Sequence, residues 1–199
     1  TLLQFTYLGW LALLPWQTHY LLTSSGNPFA ELRLYGYDIL FFIVLALWIW
    51  QWYHSTAKIH WPIFWISITL FALVGCSAYW ADNRSVSFYY WLRLGEALIA
   101  LAITASAIIS RLSILLVWCG NGIIQASVIL WQTMQQQVVA NSWLGMAAQH
   151  PELSGTPVVV TTTGRWLRAF GTLPHPNIAA AILVLALIAA VLLYHTRII

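Results

Sequence analysis

The chain has 199 residues, of which 61% are hydrophobic and 7% are charged, and its formal net charge is +3. A soluble domain carries about 25% charged residues, so this composition excludes an ordinary water-soluble fold. The eight basic residues form no run, which argues against a nucleic-acid partner. Cys76 and Cys119 lie in apolar stretches without Cys/His spacing, so we interpret them as small core residues and predict no metal site.

Six apolar stretches are each long enough to cross a bilayer. About 20 apolar residues span ~30 Å of hydrocarbon, and backbone amides in lipid must pair within a helix. We therefore predict an all-α fold, a polytopic transmembrane helical bundle of about six spans that forms a single transmembrane domain over residues 1–199. The predicted spans are 2–22, which Pro15 interrupts, then 37–54, 61–80, 88–109, 112–134 and 177–196.

One connection, residues 135–176, is far longer than the others and is rich in Gly, Pro, Gln, Ser and Thr. Connections of about 40 residues tend to be functional or disordered. Its middle, residues 158–163, is β-branched throughout, which favours an extended backbone.

Basic residues in the short loops indicate the orientation of the spans. Lys58, Arg111 and Arg197 lie on one predicted side in loops without acids, whereas the other side has more arginines but also acids beside them. We assign the first side to the cytoplasm. The long loop 135–176 is then periplasmic.

The end of the long loop carries a candidate anion site. Arg165 and Arg168 would share one face if this segment were helical, and guanidinium groups bind phosphate oxygens bidentately. Gly171 permits a close approach of the backbone, prolines flank His175, and Asn177 is placed to cap the sixth helix. The segment is either a pyrophosphate site or a pair of headgroup-anchoring arginines before an ordinary helix start.

Polar residues inside the predicted spans form two further candidates. Arg93 and Glu96 either neutralise each other as a structural pair or leave Arg93 to contact a phosphate or substrate. In the fifth span, Asn121, Gln125 and Gln132 recur at helical spacing and define one polar face. That face is expected to turn inward, where it either joins helices or lines a cavity.

Four segments of the chain resemble the O-antigen ligase superfamily. The segment 164–177, GRWLRAFGTLPHPN, is similar to the family pattern R-(A/L)-x-G-T-(F/L)-x-H-P-N. The segments 79–87, 89–96 and 122–126 are similar to further family patterns and occur in the same order. The superfamily groups bacterial O-antigen ligases, O-antigen polymerases and related oligosaccharyltransferases. The first string is the specific part of the resemblance.

The resemblance implies an inverting membrane glycosyltransferase of lipopolysaccharide biosynthesis in the bacterial inner membrane. Its donor would be a glycan on undecaprenyl pyrophosphate, its acceptor a molecule such as lipid A–core, and it would need no metal or nucleotide cofactor. It also implies that the loop with Arg168 is periplasmic. Arg168 would contact the donor pyrophosphate, His175 and Asn177 would shape the loop beside it, and Arg93 would be a further phosphate contact.

Family members are about twice as long as this chain, so we expect it to be the N-terminal portion of a longer protein. The resemblance implies that the general base lies beyond residue 199, and His175 does not match it. The leading alternative is an O-antigen polymerase, which uses the same donor with a different acceptor. A transport protein or a non-catalytic membrane scaffold is the alternative outside the family.

Overall fold

The computed structural model describes residues 1–23, 31–54, 61–106 and 108–198. This part of the chain is mostly helical, with six α-helices and two short two-stranded sheets. The helices are α1 (Leu2–Leu13), α2 (Gly36–His54), α3 (Trp61–Tyr79), α4 (Arg84–Ala105), α5 (Arg111–Gln135) and α6 (Pro176–Ile198), and the strands are β1 (His19–Leu21), β2 (Arg33–Tyr35), β3 (Val158–Thr161) and β4 (Gly164–Leu167). The five helices α2–α6 are long and apolar enough to cross a membrane. The chain is therefore a multi-pass membrane protein, as the composition predicts.

The first predicted span, residues 2–22, is shorter in the structure than predicted. Helix α1 has 12 residues, which at a rise of 1.5 Å per residue gives about 18 Å. Pro15 follows it, the amide of Trp16 closes a turn on the carbonyl of Leu13 at 2.8 Å, and the chain then enters β1. Five helices rather than six thus reach the length of a full crossing in the described residues.

The other predicted spans agree with the helices to within four residues at either end. The largest difference is α4, predicted over 88–109 and found four residues earlier. The helix begins at Arg84 because the Asn83 side chain accepts a hydrogen bond from Val86 N at 3.2 Å. Hydropathy locates the hydrocarbon core, whereas capping decides where the hydrogen-bonded helix starts.

The long connection 135–176 contains an antiparallel hairpin of β3 and β4, which pairs Val158 with Leu167 and Val160 with Arg165. The extended backbone predicted for residues 158–163 is confirmed for Val158–Thr161. This hairpin and the two-stranded sheet of β1 and β2 add short strands that the all-α prediction did not include, so the chain is mostly helical; these residues satisfy their backbone groups by strand pairing outside the spans.

The chain divides into two compact units, and the single-domain prediction stays a prediction. Unit 1 comprises Thr1–Tyr7, Tyr20–Leu34 and Asp38–Arg111. Within it, the Trp91 indole of α4 donates to the carbonyl of Phe71 on α3 at 2.8 Å and stacks on the Phe71 ring at 4.3 Å. Gly75 permits this approach, because a β-carbon there would lie 2.8 Å from the indole nitrogen.

Unit 2 comprises Leu8–His19, Tyr35–Tyr37 and Leu112–Ile199. Its small apolar core in the long connection consists of Val138, Leu167 and Phe170, with Met146 packed against it. The Thr18 hydroxyl donates to the carbonyl of Ser142 at 3.3 Å, and both Thr18 and Trp16 donate to the carbonyl of Trp143. The segment after α1 and the long connection therefore lie together.

This contact agrees with the number of predicted crossings. Four helices of spanning length, α2 to α5, separate Thr18 from Ser142 in the chain. An even number of crossings returns the chain to the side from which it started. Lys58, on which the cytoplasmic assignment partly depends, lies outside the described residues.

Candidate functional site

The polar face of α5 holds the backbone of the segment that carries Arg168. Asn121, Gln125 and Gln132 are all buried, as predicted. The Gln132 side chain is completely buried: its Oε1 accepts the amides of Phe170 and Gly171, each at 2.9 Å, and its Nε2 donates to the carbonyl of Gly171 at 2.8 Å. A primary amide offers both a donor and an acceptor, so it can form the backbone hydrogen bonds that a neighbouring strand would otherwise form.

Gln125 forms a second contact of the same kind about two turns earlier on the helix. Its Oε1 accepts the amide of Thr172 at 2.9 Å, and its Nε2 donates to the Thr172 hydroxyl at 2.7 Å. That hydroxyl in turn donates to the carbonyl of Pro15 at 3.1 Å. The backbone that these two glutamines bind turns at Gly171, where φ is +64°. A β-carbon at this position would collide with Oε1 of Gln125. Only glycine fits this position without strain.

A third glutamine completes the set, which we call the glutamine clamp (Gln125, Gln132 and Gln136). Gln136 Oε1 accepts the amide of Leu167 at 2.7 Å, immediately before Arg168. The polar face predicted for α5 therefore has a definite partner, the backbone of residues 167–172. Asn121 serves another purpose, since its Nδ2 donates to the carbonyl of Leu11 near the end of α1 at 3.0 Å, where helix carbonyls lack intrahelical partners.

Arg168 is exposed on this fixed backbone. Its amide donates to the carbonyl of Pro157 at 3.1 Å, and one guanidinium nitrogen donates to Oδ1 of Asn177 at 2.7 Å. No carboxylate in the described part of the chain lies within ion-pair distance of it. Because an unpaired cation at a membrane edge attracts anions, Arg168 remains the best candidate for a phosphate contact.

The structure corrects the geometry predicted for the two arginines. They would share a face in a helix, but Arg165 lies in β4, and the ladder continues through the Arg168 amide. Side chains three residues apart on an extended chain point to opposite faces. Arg165 and Arg168 are therefore not brought together as a pair.

The start of α6 is also capped differently from the prediction. Asn177 does not cap the helix; His175 does. The His175 Nδ1 accepts the amide of Asn177 at 3.1 Å, and its carbonyl accepts the amides of Ile178 and Ala179 at 3.1 and 3.2 Å. Pro176 fits the first helical position because it has no amide hydrogen to satisfy. These first amides are thus engaged, so an anion at this end would meet Arg168 and the helix dipole rather than free backbone donors.

Arg93 belongs to unit 1 and has polar partners on several sides. Its guanidinium forms ion pairs with Glu96 at 2.8 Å and with both carboxylate oxygens of Asp38, which is 1% exposed. It also donates to the carbonyl of Arg33 at 2.9 Å and to the hydroxyl of Tyr89 at 3.1 Å. These contacts favour the structural alternative for Arg93 over a phosphate contact.

Sequence reasoning missed three of these residues. Asp38 is 55 residues from Arg93 in the chain, so no local spacing connects them. Gln136 and Thr172 belong to polar stretches in which nothing distinguishes a buried contact from a solvated one. The usable signal was that the α5 amides recur on one face, although the pattern could not identify the partner.

Comparisons of the chain with protein-family models, with curated proteins and with solved structures give no match.

Proposed function

We propose that the chain is part of a membrane glycosyltransferase of the O-antigen ligase type, in the bacterial inner membrane. It would transfer a glycan from undecaprenyl pyrophosphate to an acceptor such as lipid A–core at the periplasmic face. The observation that carries the proposal is the exposed Arg168, without a carboxylate partner among the described residues and fixed at the start of the apolar helix α6. A lipid-linked diphosphate has the matching chemistry, because its tail requires hydrocarbon and its charge lies at the headgroup level.

The proposed step is a displacement at the anomeric carbon of the donor sugar. An acceptor hydroxyl oxygen bonds to that carbon as the bond to the phosphate oxygen breaks, and the electron pair leaves with the pyrophosphate. A general base takes the acceptor proton. Arg168 would stabilise the negative charge that grows on the leaving group, which is the electrostatic contribution that preorganised donors make in a transition state.

The fixed backbone supports this role. A guanidinium that stabilises a transition state must already be oriented when the charge develops. Residues 167–172 form five backbone hydrogen bonds with the glutamine clamp, whose members together accept from four amides and donate to one carbonyl. The Asn177 side chain then holds the guanidinium itself.

The test replaces Arg168 in the complete protein, in a bacterial strain that transfers glycan only when the wild-type gene is supplied. Arg168→Ala should reduce transfer to lipid A–core about 100-fold to 1,000-fold, as loss of one oxyanion donor does elsewhere. Arg168→Lys should restore part of it, because lysine keeps the charge without the bidentate fork. Arg84→Ala is the matched control, since Arg84 is also an exposed arginine and its guanidinium lies over the Tyr79 ring at 5.1 Å.

Two outcomes have a definite meaning. Unchanged transfer in Arg168→Ala, with normal protein levels, would remove the proposal. Loss of glycan chain elongation with intact ligation would instead identify the polymerase reaction, which uses the same donor.

A further inference from the structure

We infer that Gln132 and Gln125 are positioning residues, which act on the lipid-pyrophosphate donor through Arg168. The inference rests on the proposed function. It goes beyond that function because it assigns a catalytic consequence to side chains on α5 that face the backbone and not the donor.

The two glutamine side chains point towards the backbone of residues 170–172. Gln132 and Gln125 bond the Phe170 and Gly171 amides, the Gly171 carbonyl, and the Thr172 amide and hydroxyl. The two side chains thus supply a hydrogen-bond partner to each of these five polar groups, in a segment that belongs to no strand or helix. These contacts fix the backbone of residues 170–172, and Arg168 lies two residues before this segment.

Both glutamine side chains are buried. Gln125 is 2% exposed and Gln132 is 0% exposed. Because bulk solvent does not reach these buried side chains, their amides do not exchange partners with it, and residues 170–172 are held in one geometry. An amide facing lipid or solvent would exchange partners and would not define one.

The segment from Leu167 to Thr172, which includes Arg168, is held at both ends. The Thr172 hydroxyl joins Gln125 to the carbonyl of Pro15, and the Leu167 amide joins the other end to Gln136. A change at Gln132 would therefore alter the direction of the Arg168 side chain without removing the loop from α5. Positional errors of about 1 Å at a reacting group can cost about 100-fold in rate.

The experiment is a double-mutant cycle on the complete, purified protein in detergent, with undecaprenyl pyrophosphate-linked glycan as the donor and kcat/KM for that donor as the readout. Gln132→Leu should lower kcat/KM about 10-fold and Arg168→Ala about 100-fold. If Gln132 acts through Arg168, the double variant should lose about 100-fold and not the product of about 1,000-fold. Gln135→Leu is the control, because Gln135 is an exposed neighbour on the same helix.

Folding is followed by the thermal midpoint and by gel filtration of each variant. If Gln132→Leu does not fold, Thr172→Val replaces it in the cycle, because it removes only the hydroxyl between Gln125 and Pro15 and keeps the side-chain shape. Losses that multiply in the cycle would show that the substituted position acts independently of Arg168 and would overturn the inference. An Arg168→Ala variant with wild-type kcat/KM would instead refute the proposed function itself.

Discussion

Asp38 is predicted to be a principal stabilising residue of unit 1, and Asp38→Ala tests this. Breaking a buried ion pair by removing one partner costs about 3–5 kcal/mol, because the other charge stays buried without compensation. Asp38 is 1% exposed, whereas the Arg93 side chain is 19% exposed and keeps Glu96 as an ion-pair partner. We therefore expect a somewhat smaller loss, about 2–4 kcal/mol in the free energy of unfolding.

The assay is thermal unfolding of the purified protein in detergent. For a protein of this length, each kcal/mol moves the midpoint by about 2–4 °C, so Asp38→Ala should lower it by about 5–15 °C. Glu31→Gln is the matched control, because the Arg33–Glu31 pair has the same kind of contact at 2.7 Å but is more exposed, with side chains 26% and 17% accessible. A partly exposed pair of this kind contributes less, on the order of 1 kcal/mol.

A second variant isolates the cause. Asp38→Ala combined with Arg93→Met and Glu96→Gln should be more stable than Asp38→Ala alone, because no unbalanced charge is then left at these three positions. Asp38 is not a principal stabilising residue if Glu31→Gln lowers the midpoint as much as Asp38→Ala does, or if adding Arg93→Met and Glu96→Gln to Asp38→Ala lowers the midpoint further.

Three further predictions concern packing and sidedness. Gly171→Ala should cost about 2–4 kcal/mol, seen as a lower thermal midpoint, because it combines a positive φ with a collision against the buried Gln125 amide. Trp91→Phe should cost about 1 kcal/mol in the same assay, since it removes a hydrogen bond to an α3 carbonyl while keeping the stacked ring. Cysteines at Leu112, in the first turn of α5, and at Thr162, which follows β3, should react with a membrane-impermeant maleimide from opposite sides of sealed vesicles; labelling from the same side would contradict the crossing by α5.

Most of the helical architecture follows from hydropathy, because a chain in lipid must pair its backbone amides locally. The differences arise where local hydrogen bonding competes with that rule. Asn83 starts α4 earlier than its apolar stretch begins. Pro15 lies in an apolar stretch that hydropathy alone would continue, but the missing amide and the ring of proline oppose a helix there.

The site was predictable in its residue types and not in its pairings. Arg168 and Asn177 were identified as candidates and are in contact, but Asn177 does not cap α6, because His175 takes the capping position. The glutamine clamp joins residues 31 to 47 apart in sequence. Periodicity reports which face of a helix is polar, and only the folded chain reports what meets that face.

Except at the Thr172 hydroxyl, the glutamine clamp contacts only main-chain atoms of residues 167–172, which affects which substitutions this segment can accept. A contact with an amide or a carbonyl is indifferent to the side chain attached to it. Phe170 and Gly171 are constrained for other reasons, by apolar packing and by a left-handed backbone. Positions 168 and 169 carry neither constraint, so the chemistry displayed there could be exchanged by mutation while the scaffold beneath it stays intact.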